Sequence, residues 1–170
     1  MSPEEPLPPY AFVPGGPWPH PTSSPAGHAF GRPQVTAAPI VDDDWRRSAD
    51  YLRGVALFNA GYYWEAHESW ERLWHAHGRS GPTADLLKAL IKLAAAGVKV
   101  RQGQPAGVAS HALRAAALLE RVRTRAGDRQ LGLDLGAWIE VARGIAAEPP
   151  ADPWPGARVV PVFAVQLDPA

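Results

Sequence analysis

The sequence predicts an all-α fold: a compact bundle of about five helices, with an extended proline-rich arm before it and an extended tail after it. Three observations lead there. Apolar residues between about 42 and 148 recur at three- and four-residue steps, the period of a helix with one buried face. Glycines and prolines punctuate that region at intervals suited to helix ends. The 19 prolines concentrate before Ile40 and after Glu148, where they exclude helix by fixing φ and removing a backbone donor. The partition expected is therefore arm 1–41, helical domain 42–148 and tail 149–170.

The arm, rich in Pro and Gly, suits polyproline-like chain and turns. It also holds Tyr10, Phe12, Val13, Trp18 and Phe30, too many large apolar side chains for a solvated linker. It is expected to pack on the helices. Asp42-Asp43-Asp44 suits a helix start, followed by a first helix over about 45–60 on the face of Trp45, Ala49, Leu52, Val55, Ala56 and Asn59, with Gly61 as its stop. A second helix runs over about 62–77, ended by Gly78 and the GRSGP stretch. Thr83 is a candidate cap for a third, reaching Gln102 with Gly103 as terminator. Pro105, suited to a first turn, opens a fourth to about Arg125. A fifth spans about 135–147, and the apolar RVVPVFAVQ segment beyond it either crosses the body or pairs with another extended segment.

Composition excludes several kinds of chemistry. With no cysteine, thiolate metal sites, disulfides and cysteine nucleophiles are ruled out. A formal charge of zero gives no overall attraction to nucleic acid or anionic membrane, so neither is an expected partner. The opening MSPEEPLPPY lacks the basic and apolar regions of a secretory leader, and no apolar run approaches the roughly 20 residues of a membrane span. A cytoplasmic protein is expected.

The second helix carries the unusual chemistry. On a helical wheel, Tyr63, Trp64, His67, Trp70, Glu71 and Trp74 share one face, with Glu68 and His75 at its edge and Glu65, Ser69 and Arg72 on the far side. The tryptophan-rich face is the one expected to be buried. Burying an unpaired carboxylate costs several kcal/mol, on the order of what would force its protonation. His67 and Glu71, one turn apart, must then be paired, hydrated, metal-bound or open to a pocket.

Three readings follow. The first is a pocket for an unknown small molecule, walled by Trp64, Trp70 and Trp74, in which His67 acts as acid or base, Glu71 orients it and Glu68 is a second carboxylate. The second is a buried hydrogen-bond network in a non-enzymatic interaction module, whose arm binds a partner or a second copy. The third is a divalent metal held by His67 and Glu71, since His67-Glu68-x-x-Glu71 resembles HExxH with Glu last. Further ligands would come from His20, His28, Glu65 or His111. Lys88, Lys92 and Lys99 fall on one strip of the third helix, either as a solvated face or, for Lys88 and Lys92, as partners of Glu68, Glu71 or a bound anion. His111 is expected to be a packed, hydrogen-bonded histidine.

FNAGYYWEAHESWERLWHAHG (58–78) and LLKALIKLAAAGVKVRQGQPAGVASHALRAAALL (86–119) together resemble the signature of the domain of unknown function 309 family. The matching positions are Phe58, Gly61, Trp64, Glu65, His67, Glu68, Glu71 and Trp74. The resemblance implies a compact all-helical fold and no established activity. Lys88 and Lys92 stand where that family often has glutamines. The arm, with His20 and His28, resembles an extension found on one branch of it.

Overall fold

The computed structural model describes residues 5–33, 35–152 and 158–170. The portions of the expected arm and tail at 1–4, 34 and 153–157 lie outside these. Five helices carry the fold: α1 (Ala49–Asn59), α2 (Tyr63–Ala76), α3 (Pro82–Arg101), α4 (Pro105–Ala126) and α5 (Leu135–Ala147). Each packs on its neighbour in the chain, α1 on α2, α2 on α3, α3 on α4 and α4 on α5, as short connections favour. No helix among the described residues is long and apolar enough to cross a membrane.

The helix stops at Gly61, Gly78 and Gly103 fall where expected, and all three adopt positive φ; so does Gly127, which ends α4. After α1, the Tyr62 N–H returns to the Leu57 carbonyl at 2.8 Å, a ring closure that needs the left-handed Gly61.

The starts are less well anticipated. Asp42 and Asp43 sit at φ 51° and 57°, ahead of a single 3-10 turn, Trp45–Arg47. The cap of α1 is Ser48, whose hydroxyl accepts the Tyr51 N–H. Asp43 instead accepts the Leu131 N–H at 2.7 Å. The cap of α3 is Gly81, with Pro82 in the first turn, while the Thr83 hydroxyl accepts from the Gln130 amide. The buried face of α1 is also rotated from the expected one. Tyr51, Val55, Leu57 and Phe58 are interior, and Ala56 is exposed.

No strand is expected within the helical region, but two short ones, β1 (Arg129–Gln130) and β2 (Leu133–Asp134), pair antiparallel between α4 and α5. Their two-residue turn, Leu131-Gly132, has φ 48° and 74°, the primed geometry that hairpins prefer. Leucine is a poor residue for that conformation and gives no turn signal. It is held there by full burial, by Asp43, and by the Tyr51 hydroxyl, which donates to the Leu131 carbonyl at 2.8 Å.

The central helix is α3. No residue from Gly81 to Arg101 is fully exposed, because α2 covers one side and α4 another. Alanines at 84, 89, 94 and 96 and Gly97 let the neighbours approach closely. At Gly97 a Cβ would lie 2.5 Å from the Tyr63 ring.

Arm and tail both lie on the helices. Phe12 and Tyr10 are buried, whereas Trp18 and Phe30 stay exposed. Tyr10 stacks on Trp18, and its hydroxyl donates to the Pro19 carbonyl and accepts the His28 N–H, folding the arm on itself. Buried Arg53 of α1 donates to the carbonyls of Glu5 and Pro6. Where the arm meets the end of α2, His77 Nε2 accepts the Ile40 N–H at 3.0 Å, and burial holds this imidazole below its ordinary pKa.

The tail crosses the body and forms no strand among the described residues. Phe163 stacks on Phe58, the Val162 N–H donates to the Tyr63 hydroxyl at 2.7 Å, and Asn59 pairs with both backbone groups of Leu167.

Candidate functional site

The buried side of α2 consists of Tyr63, Glu65, Ala66, Ser69, Trp70 and Leu73. At 100° per residue this arc is centred roughly 110° from the tryptophan-rich face expected from the wheel. Two corrections follow. Trp70 is not a wall beside His67: it is fully buried against Phe58 and Gly54 of α1, with its indole N–H donating to the Tyr51 carbonyl at 3.3 Å. Glu65 and Ser69 are not on a solvated far side. The Ser69 hydroxyl donates to the Asp50 carbonyl at 2.9 Å, and Glu65 Oε1 accepts the Phe12 N–H at 2.9 Å. Tryptophans do not mark one buried face here, because Trp64 is covered by the arm and Trp70 by α1. The small residues Ala66 and Ser69, in line with Leu73, were the available signal for where a helix could approach.

Trp64 and Trp74 are half-buried, each covered by something specific. Phe12 and His20 meet Trp64 edge-on at 5.3 and 5.2 Å. The Lys88 ammonium sits over the Trp74 ring at 3.7 Å. With Trp70 in the core, the three tryptophans do not form a common aromatic pocket.

His67, Glu68 and Glu71 do come together. One donor atom from each lies within 4.8 Å of the other two, and all three side chains are half-buried. The His67 Nδ1 is 3.3 Å from Glu68 Oε1. Glu71 has no hydrogen bond or ion pair among the described residues. Of the additional ligands considered from sequence, none joins the cluster. His20 packs on Trp64, and its Nδ1 accepts the N–H groups of Thr22 and Ser23. His28 lies 3.4 Å from Glu65, so these two serve the arm.

Glu65 is the residue whose role the wheel missed. It fixes the arm from the body side, and its second oxygen, Oε2, is buried without a hydrogen-bond partner among the described residues. Replacing it with Ala would leave the Phe12 N–H buried and unpaired, a cost of about 1–3 kcal/mol. The expected result for Glu65→Ala is local loosening: hydrogen exchange at the Phe12 amide accelerates about ten- to a hundredfold while α3 amides keep their rates. Glu65→Gln, which retains an acceptor, keeps most of the protection. Unchanged exchange in Glu65→Ala would show that the arm is held without this bond.

Half-buried Lys92 of α3 lies near enough to feel Glu71, and half-buried His111 of α4 to feel His67; with Lys88 half-buried as well, the lysine strip is not a freely solvated face. Lys92 stands between the two flanking helices. Burial pushes its ammonium pKa down, the nearby charges of Lys88 and Arg114 push it further, and Glu71 opposes them. His111 is lowered by burial first and then by Lys92, Arg114, Lys99 and His67. Its Nδ1 is buried with no hydrogen-bond partner among the described residues, unlike the hydrogen-bonded histidine expected.

Residues 51–111 match the family model described as Domain of unknown function (DUF309). No curated protein matches the chain. Matched residues include all three donors and the lysines and histidine opposite them, while the arm and tail lie outside. The helical body of this chain thus carries a DUF309 domain, at residues 51–111.

Proposed function

We propose that the domain binds a small ligand at His67, Glu68 and Glu71, and that the group these donors suit best is a divalent cation. The convergence of one nitrogen and two carboxylate oxygens within 4.8 Å carries this reading. Imidazole with carboxylates suits first-row ions such as Mn2+ or Zn2+. Half-exposure leaves positions for water or substrate, the arrangement of a catalytic rather than a closed structural metal. The unpaired Glu71 counts against a network that serves packing alone, since such networks are satisfied internally.

Titration of chelator-stripped protein with Mn2+ tests it. The wild type takes up one equivalent. Glu71→Gln and His67→Ala each lose more affinity than the roughly 10–100-fold that removal of an outer-shell partner costs. Equal uptake by wild type and Glu71→Gln would refute the site.

The His67–Glu68 pair favours a second reading, acid–base chemistry. Glu68 at Nδ1 would orient the imidazole and leave Nε2 to move a proton. In that case Glu68, adjacent in sequence, takes the orienting role that spacing alone assigned to Glu71.

A further inference from the structure

At the junction of α2, α3 and α4, His111 Nδ1 is buried without a hydrogen-bond partner among the described residues, and neither Glu71 nor Lys92 makes a hydrogen bond or ion pair to any of them. Buried polar atoms are normally satisfied, so the His111 nitrogen is the exception that calls for a partner. The charges around them are also unequal. Lys88, Lys92, Lys99 and Arg114 act on this junction, against Glu68 and Glu71. Neither Lys88 nor Lys99 is neutralised by its contact, since one rests on the Trp74 ring and the other donates to the Gln104 side-chain carbonyl, both uncharged. In a chain whose formal charge is zero, this positive excess is local.

We infer that Lys92 and His111 seat an oxyanion, a phosphate or carboxylate group, beside the donors of His67, Glu68 and Glu71, so that the ligand of this site is a small anion. The inference rests on the cation reading for its second half. A divalent cation on the glutamates enlarges the positive excess, so cation and anion assist each other, and by linkage each tightens the other by the same factor. An ammonium and an imidazole N–H supply donors that an oxyanion accepts, and partial burial strengthens both bonds. Burial, and after it the neighbouring positive groups, holds the pKa of both Lys92 and His111 below its ordinary value.

Inorganic phosphate and, in a parallel arm, acetate are the probes. Each is titrated calorimetrically into the full chain, both Mn2+-loaded and stripped. The wild type is expected to bind at least one of them, more tightly in the loaded form. In Lys92→Gln and His111→Gln the anion weakens about tenfold, while Mn2+ affinity measured without anion is retained in His111→Gln and retained or improved in Lys92→Gln, where a positive neighbour has been removed. Lys92→Gln relieves like-charge crowding, so it is expected to fold, and melting curves check this. Anion that binds neither form, or binds both variants as it binds wild type, overturns the inference and leaves the cation site standing. Failure of Mn2+ to bind refutes the cation reading alone, because the stripped protein is titrated as well. There, loss of the anion in Lys92→Gln still supports the seat.

Discussion

Trp70→Ala is expected to lower stability by about 3–5 kcal/mol, the usual cost of deleting a large aromatic from a close-packed core. This ring is completely buried, and its surroundings are shaped to it. Gly54 of α1 lies so close to the indole that a Cβ there would collide with Nε1 and the adjoining carbons. Phe58 packs 5.9 Å away, centroid to centroid. Truncation therefore leaves a cavity lined by a glycine, which cannot fill it, and removes the donor to the Tyr51 carbonyl. In urea unfolding the midpoint should fall by about 1–3 M with little change in slope. A fall under about 0.5 M would mean that α1 collapses into the space. The Mn2+ site offers a control: Trp70 does not wall it, so folded Trp70→Ala should bind the ion as wild type does.

Gly97→Ala is the second large effect, and its sign separates two principles. In a helix interior Ala is favoured over Gly by about 1 kcal/mol, so propensity alone predicts stabilisation. The new methyl, however, would stand 2.5 Å from Tyr63 Cγ, inside contact distance of a ring packed on Phe58 and Phe163. Overpacking of this kind costs about 1–3 kcal/mol and overturns the propensity gain. It has a second readout. Tyr63 can yield only by moving its hydroxyl, which accepts the Val162 N–H and thereby holds the tail. Thermolysin should then cut the Val159–Ala170 segment faster in Gly97→Ala than in wild type. Gly144→Ala in α5 is the comparison, since a Cβ there meets nothing within 4 Å and should stabilise. Equal stabilisation at both positions would mean that the Tyr63 ring moves freely.

Periodicity and punctuation carried most of the architecture. The bounds of α2, α4 and α5 follow from glycines, prolines and the helical repeat, which are local properties. The cap of α1, the hairpin turn at Leu131 and the rotation of α2 are not local. Ser48 was passed over because three aspartates stood just before it, yet two of these adopt left-handed backbone and one serves a loop 88 residues away. Leu131 violates turn preference, and only its burial and the hydrogen bonds from distant residues sustain it. At the candidate site, the grouping of His67, Glu68 and Glu71 was readable because one helical turn sets it. The displacement of Trp70 from that group was not, because α1 and the arm compete for the same helix and their approach directions are absent from any wheel. His111 shows the same limit: its place opposite α2 depends on how α4 folds back across α3.

The hydrogen bonds by which Arg53 and Glu65 grip the start of the arm are made to main chain. Arg53 reaches the carbonyls of residues 5 and 6, and Glu65 reaches the N–H of residue 12. Every amino acid offers a carbonyl there, and every one except proline offers the amide. The clasp at residues 5 and 6 is thus blind to side-chain identity, and those positions are free to drift in sequence without letting go, whereas Arg53 and Glu65 are not.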